Sequence, residues 1–203
     1  MSGDRCRPYA IQLTEPVRPE PFTKIRFACF LSLRLFFGGS HMIFGMTPLT
    51  FFHVVLSLVG IVAGLMALSA WLGSSDLKPR LTSIFLYFTL ATVLTGFILP
   101  FSSITPAVVV GIISTALLVV ALVAYHRYHL SGSWRVTFLV TAVASLYLNT
   151  FVLVVQSFLK IPPLHALAPT GSEPPFAIVQ GVVLVAFVIA GFLVVRRFRP
   201  VLA

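Results

Sequence analysis

An all-α integral membrane bundle of five transmembrane helices is the fold the sequence predicts, and three observations predict it. Only 9% of the 203 residues are charged and 58% are hydrophobic, against roughly 25% charged in ordinary soluble domains. Mean hydropathy is +1.03. Five apolar runs, at about 48–72, 81–100, 106–125, 134–159 and 175–195, are each long enough to cross a hydrocarbon core of about 30 Å at about 1.5 Å per residue. None contains Asp, Glu, Lys or Arg except Arg135, at a boundary.

Residues 1–46 differ in kind from the rest. Pro8, Pro16, Pro19 and Pro21 with mixed charges give residues 1–26 a disordered composition. The apolar patch at 27–46 is broken by Arg34, Gly38, Gly39, Ser40 and His41, which leaves no run of about 18–20 residues. It reads as a surface helix, a signal peptide with an unusually long n-region and Arg34 inside its apolar stretch, a poor sixth span, or a leader upstream of a true start at Met42 or Met46. The late start is the expectation, because it also resolves a charge conflict described below. Cys6 and Cys29 both fall in this leader, so residues 47–199, the expected bundle, carry no disulfide and no thiolate site.

Breakers separate the five runs: Gly73, Ser74 and Ser75; Pro100 and Pro106; Ser131 and Gly132; then Pro162, Pro163, Pro169, Pro174 and Pro175. In the first run, Gly60 and Gly64 form a G-x-x-x-G step that Ser57 and Ala67 extend. Bare glycine lets a second backbone come close, so this face is expected to pack on a neighbouring helix. The fourth run carries Thr141, Ser145, Asn149 and Gln156 at spacings of four, four and seven, one stripe of a helix that is otherwise apolar. Such a stripe should face other helices rather than lipid tails, with the remaining spans packed around it.

Charge sets the threading. The loops after spans one and three, with the C-terminal tail, hold Lys78, Arg80, Arg127, Arg135, Arg196, Arg197 and Arg199; the opposite side holds only Lys160. Cationic loops stay in the cytoplasm, so the C-terminus is expected inside. Trp71, Tyr125, Tyr128 and Trp134 would anchor the same boundary. The leader adds six Lys or Arg to the outer side and erases that bias unless it is absent or crosses the membrane. The net charge of +9 and pI near 10.4 therefore belong to orientation rather than nucleic-acid binding.

Residues able to carry chemistry are sparse. His53 is the one histidine within a span, about a turn from its outer end. Thr95, Gln156 and Gln180 are expected at a similar depth on three other helices, beneath the outer loop that runs from Lys160 to Pro174 and carries His165 and Glu173. They could line an outward-facing ligand pocket. The structural reading is that Asn149, Gln156 and Gln180 are interhelical glue, each contact giving about 0.6 kcal/mol, that His53 meets interfacial water, and that His165 and Glu173 are solvated. His126 and His129, three apart, share a helical face, but His53 is at the opposite membrane boundary, so an intramembrane bis-histidine haem is not expected. No metal or cofactor is expected. No span holds a carboxylate for a proton relay, and no G-x-S-x-G, H-E-x-x-H, phosphate-binding or dinucleotide motif occurs.

The runs Leu148-Asn149-Thr150-Phe151-Val152-Leu153-Val154-Val155-Gln156-Ser157-Phe158 and Leu167-Ala168-Pro169-Thr170-Gly171-Ser172-Glu173-Pro174-Pro175-Phe176 resemble those of small uncharacterised polytopic inner-membrane proteins of proteobacteria. The resemblance spans roughly 46–198 and includes no activity motif. It implies a bacterial inner membrane and says nothing of chemistry. Two function classes follow. The first is a non-enzymatic bundle that binds a partner subunit, a second copy or a lipid-like molecule; the second is a small-solute permease or membrane oxidoreductase subunit that uses His53.

Overall fold

The structure, a computed structural model, describes residues 47–73, 77–99 and 106–198; the leader, with its alternative starts and possible sixth span, lies outside these. The described residues form six helices: α1 (Pro48–Gly73), α2 (Pro79–Ile98), α3 (Pro106–His126), α4 (Trp134–Lys160), the short α5 (Pro162–Leu167) and α6 (Pro174–Arg197). All but α5 are long and apolar enough to cross a membrane, so this is a multi-pass membrane protein. Five of the six begin on proline, whose fixed φ and missing N–H suit a first helical turn. At α1, Thr47 Oγ1 also accepts the Thr50 N–H at 3.3 Å, a side-chain cap. The main departure from the sequence reading is α5, one turn and a half of helix started by Pro162 and Pro163 inside the expected outer loop.

The central helix is α4. It packs against all five others, while α3, α2, α1 and α6 follow one another around it. Phe138, Leu139, Ala142, Ser145 and Leu146 of α4 are almost wholly buried. By contrast α6 leaves Ile178, Val182, Val185, Val188, Ile189 and Phe192 more than half exposed. An uninterrupted apolar face of that size is tolerable only against lipid or another apolar surface.

One end of the bundle is aromatic and basic. Trp71 packs edge-on to Phe138 at 5.5 Å and beside Phe198 at 6.3 Å; Tyr125 stacks on Phe138 at 5.7 Å. The Trp71 indole N–H donates to Leu77 O at 3.3 Å. Between α3 and α4 the chain turns through left-handed His129 and Leu130, with φ of 45° and 58°. Leu130 is 4% exposed within the core, and its burial offsets the cost of that backbone. Arg135, in the first turn of α4, sits where the helix dipole disfavours a cation. Its guanidinium instead donates to the carbonyls of Val195, at 3.2 Å, and Phe198, at the end of α6 where a cation is favoured.

Candidate functional site

Polar side chains of α1, α2 and α4 gather where those three helices meet, in two layers about 9–10 Å apart along the helices. In the layer nearer the Lys160 end of the bundle His53 Nδ1 lies 2.9 Å from Thr95 Oγ1. Thr95 Oγ1 is also 2.8 Å from Ala91 O. A hydroxyl has one hydrogen, so with that hydrogen on Ala91 O the Thr95 oxygen accepts from His53 Nδ1–H, and Nε2 is the ring's acceptor. The imidazole rests on Gly96, where a Cβ would meet His53 Cε1 at 3.3 Å; any larger residue would push the ring away.

The deeper layer is built on Gly60. Ser57 Oγ donates to Asn149 Oδ1 at 2.9 Å. A Cβ on Gly60 would lie 3.1 Å from Thr89 Oγ1, 3.3 Å from Thr89 N and 3.6 Å from Asn149 Nδ2. Among the described residues Thr89 Oγ1 and Asn149 Nδ2 have no hydrogen-bond partner, although both side chains are at least nine-tenths buried. An unpaired buried polar group costs about 1–3 kcal/mol.

One turn further in, polarity ends. A Cβ on Gly64 would come within 2.5 Å of Leu146 Cδ1 and 2.7 Å of the Phe85 ring, and Phe85 and Leu146 are all but inaccessible. The G-x-x-x-G step is thus a three-helix contact within the chain: Gly60 admits the polar pair and Gly64 admits the apolar floor beneath it.

The other sequence-derived residues lie elsewhere. Gln180 is buried, but on the α4–α6 seam, where Nε2 donates to Phe151 O at 3.1 Å; Oε1 is unpartnered among the described residues. Gln156 is exposed. It continues the stripe of Thr141, Ser145 and Asn149, but the hydrogen bond that His53 makes goes to Thr95 and Gln156 does not take part in it. His165 on α5 is exposed. Glu173 accepts from Thr170 N at 3.0 Å, Thr170 Oγ1 at 3.0 Å and Ser172 N at 3.1 Å. The bond from the Thr170 backbone leads these in holding the carboxyl down at about 2. His126 Nε2 meets Tyr87 Oη at 3.0 Å, about two helical turns along α2 from Thr95.

Thr89 was not singled out by sequence reasoning. Thr82, Thr89 and Thr92 are spaced by seven and three, a helical stripe on α2 that is buried throughout, and that spacing was the available signal. On the outside, α1 carries a shallow, open groove lined by Leu58, Val59, Val62, Ala63 and Met66, with Leu81 of α2. Every lining residue is apolar. Compared with protein-family models, curated proteins and solved structures, the chain matches none.

Proposed function

We propose that this multi-pass protein is a non-enzymatic component of a bacterial inner membrane, threaded with its C-terminus in the cytoplasm, whose bundle holds a lipid-like molecule. The groove on α1 carries this reading. It is a shallow depression, open along most of its length, and its wholly apolar wall suits a hydrocarbon chain lying along the helix. The polar pairs His53–Thr95 and Ser57–Asn149, by contrast, bond to each other between helices and act as glue.

The threading rests on Lys78, Arg80, Arg127, Arg135, Arg196 and Arg197, which share the bundle end opposite Lys160. The placement in a bacterial inner membrane rests on the sequence resemblance.

A phospholipid bearing a photoreactive group in its acyl chain tests the proposal. Adducts are expected to concentrate on 58–66 and to fall several-fold in Val62→Trp, which fills the groove. Adducts spread over all spans in proportion to exposed surface would refute it; a protein chain copurifying and shielding 58–66 would point to a partner subunit instead. The permease or oxidoreductase reading draws on His53, but beneath it Phe85 and Leu146 close over Gly64, so a solute path would require the helices to part there. His53→Phe should leave folding intact, and loss of uptake or electron transfer in that variant would favour the second reading.

A further inference from the structure

Three of the threonines on α2 give their hydroxyl hydrogen to a main-chain carbonyl: Thr82 to Leu77 O, Thr92 to Phe88 O and Thr95 to Ala91 O, each at 2.8 Å. Thr89 does not. Its Oγ1 turns to Gly60 instead, and from the opposite helix Asn149 directs Nδ2 at the same place. Neither atom has a partner among the described residues; Thr89 is 1% and Asn149 9% exposed. Two orphaned polar groups from different helices thus meet at a residue with no side chain, and each calls for a partner that no described side chain supplies.

We infer that the notch beside Gly60 binds a single water molecule, held by Asn149, Thr89 and Ser57. The chemistry of the three groups is complementary. Asn149 Nδ2 supplies an N–H donor. The Thr89 hydroxyl can donate or accept, and Ser57 Oγ, having given its hydrogen to Asn149 Oδ1, keeps lone pairs to accept. That matches the two to four bonds a buried water makes. Size selects water over larger polar molecules: a single added methyl on Gly60 would already meet Thr89 N at 3.3 Å. The apolar floor of Phe85 and Leu146 stops the water from moving inward. The junction of α1, α2 and α4 is therefore joined through an exchangeable molecule.

The sequence supplies an unusually clean probe, because Asn149 is its sole asparagine. Full-length protein labelled with ¹⁵N-asparagine in lipid bilayers shows one side-chain amide, and water-edited solid-state NMR reads magnetisation passing to it from water. Strong transfer is expected in the wild type, together with a several-fold drop in Thr89→Val and retention in Thr89→Ser, which keeps the hydroxyl. No transfer to the wild-type amide overturns the assignment, as does transfer that Thr89→Val leaves unchanged. Thermal unfolding gives an independent reading. Thr89→Val strands the water and should lower Tm by about 3 °C, whereas an unhydrated notch gains from losing an unpaired hydroxyl, so an unchanged or higher Tm also overturns it. If Thr89→Val does not fold, the wild-type transfer and the Thr89→Ser spectrum decide.

Discussion

Ser57 donates its hydroxyl hydrogen to Asn149 Oδ1 at 2.9 Å, joining α1 to α4 across 92 positions of sequence. In an apolar surround the bond matters mostly for what its loss leaves behind. Ser57→Ala strands a buried amide oxygen and should cost about 1 kcal/mol, read as a lower SDS or thermal unfolding midpoint. Ser57→Thr, which keeps the hydroxyl, should lose less; equal losses would show that the bond contributes nothing.

The glycines should rank by what a Cβ meets. Gly64→Ala drives a methyl against Leu146 and the buried Phe85 ring and should cost about 1–3 kcal/mol. Gly60→Ala meets Thr89 at 3.1 Å and should cost less. Gly181→Ala meets nothing within 4 Å and should be neutral or slightly stabilising, since alanine is the better helix former. Unfolding midpoints of the three variants check the order.

Arg135 reaches two carbonyls at the end of α6. A lysine there retains the charge but loses the planar fork. Arg135→Lys should therefore quicken hydrogen exchange in the last turn of α6, at 194–198, about 5-fold, equivalent to about 1 kcal/mol of local opening, while exchange at 178–185 stays as it was.

Acid should loosen the loop between α4 and α6 before the bundle. Glu173 has its carboxyl lowered from 4.5 to about 2 by the Thr170 and Ser172 bonds. A depressed carboxylate stabilises its turn fully above the unfolded value, and that contribution disappears as pH falls through the folded one. The Thr170 and Ser172 amide shifts should hold above about pH 4.5 and change between there and about pH 2; Glu173→Gln should show the changed shifts already at neutral pH.

Hydropathy and breakers made the architecture legible because lipid imposes so few solutions: the five expected spans and the observed helices differ at their ends by two residues or fewer. The second span shows why even that difference arises. It starts two residues early, because Pro79 takes the first helical turn, and stops at Ile98, because Leu99 is extended ahead of Pro100. The inward stripe on α4 was legible as far as Asn149. Gln156 keeps the same helical phase, yet phase alone does not bury a side chain, and Gln156 is exposed. Thr89 was hidden for another reason. Sequence gives its place on the helix, while the side-chain rotation that separates it from Thr92 and Thr95 is decided by the space Gly60 leaves.

Threading is the claim on which the proposed placement depends, and cysteine accessibility in intact cells tests it most directly. With Cys6 and Cys29 replaced by serine, Thr170→Cys and Ser131→Cys are each exposed to a membrane-impermeant maleimide. Label on Thr170→Cys in intact cells, and on Ser131→Cys only after lysis, is the predicted result. The reverse pattern would invert the bundle, and equal labelling of both before lysis would mean that no membrane separates the two ends.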